Sequence, residues 1–154
     1  MSLSDWASIA IIVQGTLFIV SLGLVWYQLR ANTELVRAGN TQKLVELSGP
    51  FYLQLAQDRA LTELWQQGTH HVKDLDEVDR ERYFSLLTWW LMLHENIYHQ
   101  WRKKLIDEDT YNSWTIDLEY FARRQQLGTH WDRLQTYFEA SFAQHVSTII
   151  AHLQ

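Results

Sequence analysis

An uncharged apolar stretch near the amino terminus constrains this chain more than any other feature of its sequence. No Asp, Glu, Lys or Arg occurs among the 24 residues from Trp6 to Leu29. As an α-helix they would extend about 36 Å, whereas a hydrocarbon core of about 30 Å needs roughly 20 residues. Trp6 and Trp26–Tyr27 bracket the stretch, as aromatic side chains do at membrane interfaces. A buried helix of a soluble protein rarely runs this long without a charge, so we predict a transmembrane anchor over residues 1–29.

The charges beside this stretch predict its orientation. Arg30, Arg37 and Lys43 follow it, whereas the residues before Trp6 include Asp5 and no Lys or Arg. Basic residues favour the cytoplasmic side. We therefore expect a single-pass membrane protein with its amino terminus outside and its C-terminal domain in the cytoplasm. The residues before Trp6 lack the basic region of a signal peptide, and no A-x-A-like site follows, which favours a retained anchor.

One face of the predicted helix carries small and polar residues at heptad spacing. This seam holds a glutamine in every second heptad, and the residues predicted to form the contact of an oligomer or pore are Gln14, Ser21, Gln28, Leu35 and Gln42. Gln14 would lie near the middle of the membrane, where an amide without a partner is costly. Polar and small residues hold membrane helices together, so the seam predicts self-association. A lone span whose amide bonds its own helix and a polar-lined pore are the alternatives.

The rest of the chain has the composition of a helical protein. There are one proline, six glycines and no cysteine in 154 residues, and the formal charge is −5. No segment alternates apolar and polar residues as a half-buried strand would. We expect an all-α fold in which a single N-terminal transmembrane helix continues into a small antiparallel helical bundle. Residues 30–50 are predicted to form a juxtamembrane helix that ends at Gly49–Pro50, and residues 51–154 a cytoplasmic helical domain.

Capping residues predict the helix boundaries inside that domain. Aspartates placed to cap a helix N-terminus are Asp58, Asp74 or Asp76, and Asp107. Gly68 and Gly128 are placed where a helix would end.

The segment Phe84–Leu93 is apolar around nearly the whole circumference of its predicted helix. Such a helix must be covered on all sides, and ten residues are too few to cross a bilayer. We expect either the central helix of the bundle or a helix whose extra face meets another subunit or the membrane surface. Trp89, Trp90 and Trp101 are the predicted partner contacts.

Two pairs of residues are candidates for chemistry. Glu95 and His99 are four residues apart and would share one helix face, but no second Glu-x-x-His unit completes a di-iron site. Arg124 and His130 fit the loose spacing of HEPN ribonucleases. A polar patch in a bundle explains the first pair equally well, and a helix break between Arg124 and His130 would separate the second. We therefore predict no catalytic residue and no cofactor, with Glu95 and His99 as the metal candidates. The acidic balance predicts no nucleic-acid partner.

Five stretches carry a resemblance to other proteins: ANTELVRAGNTQ, LAQDRALTELWQQG, LDEVDRERY, HENIYHQW and LIDEDTYNSW, which cover most of residues 31–114. They resemble an uncharacterised family of short bacterial proteins with one N-terminal transmembrane helix and a helical cytoplasmic domain. This resemblance implies an architecture and no activity. In layout, and in the Arg124 and His130 pair, the chain is more distantly similar to CRISPR-associated single-span proteins that form oligomeric membrane pores.

The principal functional expectation is a non-enzymatic single-span membrane protein. It would act by self-assembly or as an accessory subunit of a larger membrane complex, so its partners would be the lipid bilayer and either itself or that complex. One alternative is an oligomeric membrane pore linked to stress or defence. Another is an enzyme, either a HEPN-like ribonuclease or a metal-binding enzyme.

Overall fold

The computed structural model describes residues 3–123 and 126–153, and most of these residues lie in helices. In these ranges there are six α-helices, two short 3₁₀ turns and no strand, which confirms the all-α prediction. The helices are α1 (Leu3–Gln57), α2 (Arg59–His71), α3 (Glu77–Arg102), α4 (Glu108–Arg123), α5 (Gln126–Leu134) and α6 (Ala140–Leu153), with 3₁₀ turns at Val72–Asp74 and Gln135–Tyr137.

Two compact units make up the chain, Met1–Gly39 and Asn40–Gln154. The first unit is formed by the amino-terminal part of α1. The second unit contains the end of α1 and the bundle of α2 to α6. The division lies inside the segment 30–50 that the sequence predicts as a juxtamembrane helix.

The α1 helix does not end at Gly49–Pro50, so that prediction is wrong; it continues to Gln57. Proline disfavours a helical preceding residue partly through a clash with that residue's Cβ, and Gly49 has no Cβ. Packing supplies the rest of the explanation. Leu44, Ser48 and Phe51 lie one or two turns apart and are all buried, so this part of α1 stays helical because it covers the bundle.

The predicted aspartate caps are present. Asp58 accepts a hydrogen bond from the Leu61 N–H (3.1 Å), Asp76 from the Asp79 N–H (2.8 Å), and Asp107 from the Thr110 N–H (2.7 Å). Each aspartate satisfies a backbone donor that the first turn of the helix leaves without an intrahelical partner.

The two glycines predicted to end helices lie inside helices instead. Gly68 belongs to α2 and Gly128 to α5. Gly68 is buried, and a Cβ added there would overlap the ring of Tyr83 on α3. Its small size therefore allows α2 and α3 to pack closely. Glycine is required at this position by the contact between the two helices and not by a turn.

The α3 helix contributes the largest part of the core, but the segment Phe84–Leu93 is not covered on all sides, because Trp89 and Met92 remain exposed. Tyr83, Leu87 and Leu91 are completely buried. Its inner face packs with α2, α4 and α6 through aromatic contacts, including Trp90 against Phe121 at 4.9 Å between ring centroids.

Candidate functional site

The first candidate site is the exposed apolar part of α1. Thirteen large apolar side chains between Ile11 and Leu29 each expose at least half of their surface. By length and composition, α1 is the one helix of the described residues that is able to cross a membrane, and none of its most apolar window is buried. These apolar side chains surround the helix on all sides except along the seam of Gln14, Ser21 and Gln28.

The seam residues in this segment differ in whether their side chains form a hydrogen bond. The Ser21 hydroxyl donates to the Leu17 carbonyl (2.8 Å), as the Thr16 hydroxyl donates to the Ile12 carbonyl (2.8 Å). These hydroxyls are therefore satisfied inside their own helix. Across the part of the chain that the structure describes, the Gln14 side-chain amide makes no hydrogen bond.

The remaining seam residues are also on the surface. Gln28 and Leu35 are exposed. The Gln42 amide donates to the Glu46 carboxylate at 3.0 Å within the second unit. The seam thus contains one amide near the middle of the apolar stretch, Gln14, that another molecule can satisfy.

The three tryptophans predicted as partner contacts have different environments. Trp89 is 41% exposed and stacks on Phe51 at 5.0 Å between centroids. Trp90 is only 2% exposed, so its prediction as a partner contact is wrong; it contributes to the core because it lies on the inner face of α3. Trp101 is half-buried and stacks on Tyr111 at 4.2 Å. The structure leaves Trp89 as the tryptophan of this set that is open to a partner.

The predicted metal pair lies at a junction between α3 and the start of α6. The structure adds Glu139, whose Oε2 is 3.0 Å from His99 Nε2, while Glu95 Oε1 is 3.9 Å from the same nitrogen. Glu95 also accepts a hydrogen bond from the Glu139 N–H at 2.7 Å. Among the described residues, no group of three or more His, Asp or Glu is arranged to hold a metal ion. Through their contacts with Glu139, Glu95 and His99 link α3 to the start of α6.

The proposed ribonuclease pair is described only in part. Arg124 lies outside the described residues. The His130 ring packs edge-on against Phe84 at 5.1 Å, and its buried Nε2 has no hydrogen-bond partner. Burial, together with the nearby Arg133 charge, lowers the pKa of His130. Both effects favour the neutral form of this imidazole.

A polar cluster that sequence reasoning missed joins α1, α3 and α4. Tyr52 donates a hydrogen bond to Asp117 Oδ2 at 2.8 Å, and His94 Nε2 lies 3.9 Å from the same oxygen. Burial lowers the pKa of His94 to about 3. Burial and then the Asp117 charge raise the pKa of Tyr52 to about 12. The members are far apart in sequence, so only a known helix arrangement would have revealed the cluster.

The chain matches no protein-family model, no curated protein and no solved structure. A functional conclusion therefore has to be argued from these residues and their geometry.

Proposed function

We propose that this chain is a non-enzymatic single-span membrane protein that acts by assembly, either with itself or as an accessory subunit of a larger membrane complex. The observation that carries the proposal is the exposed apolar part of α1. At about 1.5 kcal/mol for each of the thirteen side chains, leaving them in water costs on the order of 20 kcal/mol. Lipid is the cover that suits a helix that is apolar on nearly every face and bonds its own backbone polar groups.

The residues that follow the apolar part support a cytoplasmic location for the bundle at a bacterial inner membrane. Arg30 lies over the Trp26 ring at 5.8 Å and pairs with Glu34 at 3.6 Å. Tryptophan beside arginine is typical of the end of a span at the cytoplasmic interface. Protease added to intact spheroplasts is expected to leave the C-terminal tail uncut. A tail that is cut under these conditions would refute this orientation.

Residence in the membrane is tested directly by fractionating cells. The full-length chain is expected in the membrane fraction and resistant to extraction with sodium carbonate. Recovery of uncleaved protein in the soluble fraction without detergent would refute the proposal.

Self-association is proposed to use the Gln14 amide. An identical amide on a neighbouring copy would satisfy it, and polar contacts between membrane helices contribute about 0.6–2 kcal/mol. Gln14→Leu is therefore expected to weaken oligomerisation in mild detergent about 3- to 30-fold. Ser21→Ala is the matched control, because its hydroxyl already bonds the Leu17 carbonyl. A wild-type particle that is monomeric and without a partner by native mass spectrometry would refute assembly.

A pore is the second candidate function, and the same Gln14 amide favours it. A pore needs a polar lining, and the Ser21 hydroxyl is already bonded within its own helix, so we favour a closed assembly. A pore predicts dye entry on expression and conductance in planar bilayers, both reduced by Gln14→Leu. An assembly without conductance would exclude the pore and leave the first proposal intact.

A further inference from the structure

An apolar groove lies on the surface of the second unit, where the end of α1 and the start of α2 meet the first half of α3. Its volume is about 920 Å³. The apolar walls include Phe51 from α1, Leu61 from α2, and Val78 and Trp89 from α3. Phe51 is itself buried, whereas Val78 is 68% and Trp89 41% exposed. The groove therefore has an aromatic floor and an open rim.

The charged side chains along the groove differ in whether they have an ion-pair partner. Three charged residues line it, Glu77, Glu81 and Arg82. Arg82 pairs with Asp79 at 2.7 Å, and Glu81 pairs with Arg133 at 3.2 Å. Across the described ranges, Glu77 makes neither an ion pair nor a hydrogen bond. The groove thus presents one uncompensated carboxylate at the start of α3.

We propose that this groove binds an organic cation with a flat apolar body. Its volume lies within the range of about 300–1,000 Å³ that is usual for small-molecule sites, which are mostly apolar with a few polar groups. The apolar body would lie against Trp89 and Leu61, and the cation would lie beside Glu77. Glu77 selects a positive charge, whereas Trp89 offers apolar ring surface to the body of the ligand.

The ion pairs beside the groove favour a small ligand over a helix of another protein. Arg82–Asp79 and Glu81–Arg133 both involve the exposed side of α3. A helix that lay along α3 would bury these four charged groups, and desolvating ion pairs is costly. A ligand confined to the groove meets Glu81 and Arg82, which line it, but neither of their partners, Asp79 and Arg133. This inference depends on the second unit alone and does not require the membrane assembly proposed above.

The test uses the full-length chain in phosphatidylcholine nanodiscs and two xanthene dyes, the cationic rhodamine 6G and the anionic fluorescein. Fluorescence anisotropy is measured, and the signal of empty nanodiscs is subtracted. Rhodamine 6G is expected to bind more tightly than fluorescein. Glu77→Gln is expected to weaken rhodamine 6G binding up to about fivefold, the effect of one exposed charge pair. Glu108→Gln is the matched control, because Glu108 also lies in the first turn of a helix behind an aspartate cap.

A second variant distinguishes a specific loss of binding from a loss caused by misfolding. Val78 is largely exposed, so Val78→Lys is expected to fold normally while it places a positive charge at the rim. It should weaken rhodamine 6G binding and strengthen fluorescein binding. Equal binding of the two dyes to the wild type, or binding unchanged by both Glu77→Gln and Val78→Lys, would overturn the proposal. Displacement of the dye by a Leu/Lys amphipathic helical peptide at lower concentration than the dye itself would assign the groove to a helical partner and also overturn it.

Discussion

Replacing Gly68 by alanine tests whether close packing of α2 on α3 determines the stability of the bundle. In a helix interior, alanine is favoured over glycine by about 1 kcal/mol, so helix propensity alone predicts a more stable protein. The structure predicts the opposite. A Cβ at Gly68 would overlap the Tyr83 ring, and Tyr83 is completely buried, so the ring has no free space into which to move.

The expected magnitude follows from these opposing contributions. Overpacking a core typically costs about 1–3 kcal/mol, and severe overlap with a rigid ring belongs at the upper end. After the gain in helix propensity, Gly68→Ala should lower the free energy of unfolding by about 2 kcal/mol. For a domain of this size the midpoint of thermal unfolding should fall by about 4 °C for each kcal/mol.

The assay is thermal unfolding of the full-length chain in one detergent, followed by near-ultraviolet circular dichroism of the buried aromatic residues. Gly39→Ala is the matched control, because Gly39 is helical and a Cβ there meets nothing within 4 Å. Its midpoint should stay the same or rise. In the double variant Gly68→Ala/Tyr83→Leu, the two losses should be less than additive, since the smaller side chain removes the overlap. A Gly68→Ala protein as stable as Gly39→Ala would refute the reasoning.

Three further predictions concern single residues. Burial lowers the pKa of His94 from 6.5 to about 3, so the folded chain holds fewer protons than the unfolded chain between these values, and the free energy of unfolding falls as the pH falls. His94→Leu should remove up to about 1.4 kcal/mol per pH unit from that slope in urea unfolding; an unchanged slope would contradict this. Pro50→Ala restores a backbone N–H to an exposed helical position and should stabilise the chain by about 1–3 kcal/mol, whereas a lower urea midpoint would argue against a continuous α1. Ser147→Ala removes the acceptor of the buried Trp131 indole N–H (2.8 Å) and should cost about 1–3 kcal/mol in the same assay; a midpoint equal to that of the wild type would show that the indole finds another partner.

Local sequence signals predicted the parts of the fold that depend on a few neighbouring residues. The aspartate caps are examples, because a carboxylate and the N–H three residues later meet within one helical turn. The apolar segment Phe84–Leu93 predicted a helix that is either central or has an extra exposed face; its inner side is in the core, and Trp89 and Met92 form an exposed side.

The errors arise where distant residues override a local preference. The residue before a proline normally leaves the helical region. The α1 helix continues past Pro50 nevertheless, because Leu44, Ser48 and Phe51 are buried in the core of the second unit. Gly68 has the position of a helix terminator, but its environment is set by Tyr83 from the next helix.

The candidate sites divide in the same way. Gln14 and the apolar stretch around it were found from sequence, because a charge-free run and an isolated amide are visible along one helix. Glu139 beside His99 and Asp117 beside His94 were missed. In each case two residues meet only after separate helices pack, and the intervening chain carries no periodic signal of the contact.

Two properties of this protein can be read from the amino-acid sequence alone: the chain is helical, and its amino-terminal part carries a charge-free apolar run of 24 residues, Trp6–Leu29. Both properties follow from the order of residues along one helix, where spacing converts directly into faces and length. Other properties depend on the tertiary structure. They are which of Trp89, Trp90 and Trp101 is exposed, which ionisable groups are buried, and where the groove beside Glu77 lies. Those features depend on how helices from distant parts of the chain fill space against each other, which no single helix specifies.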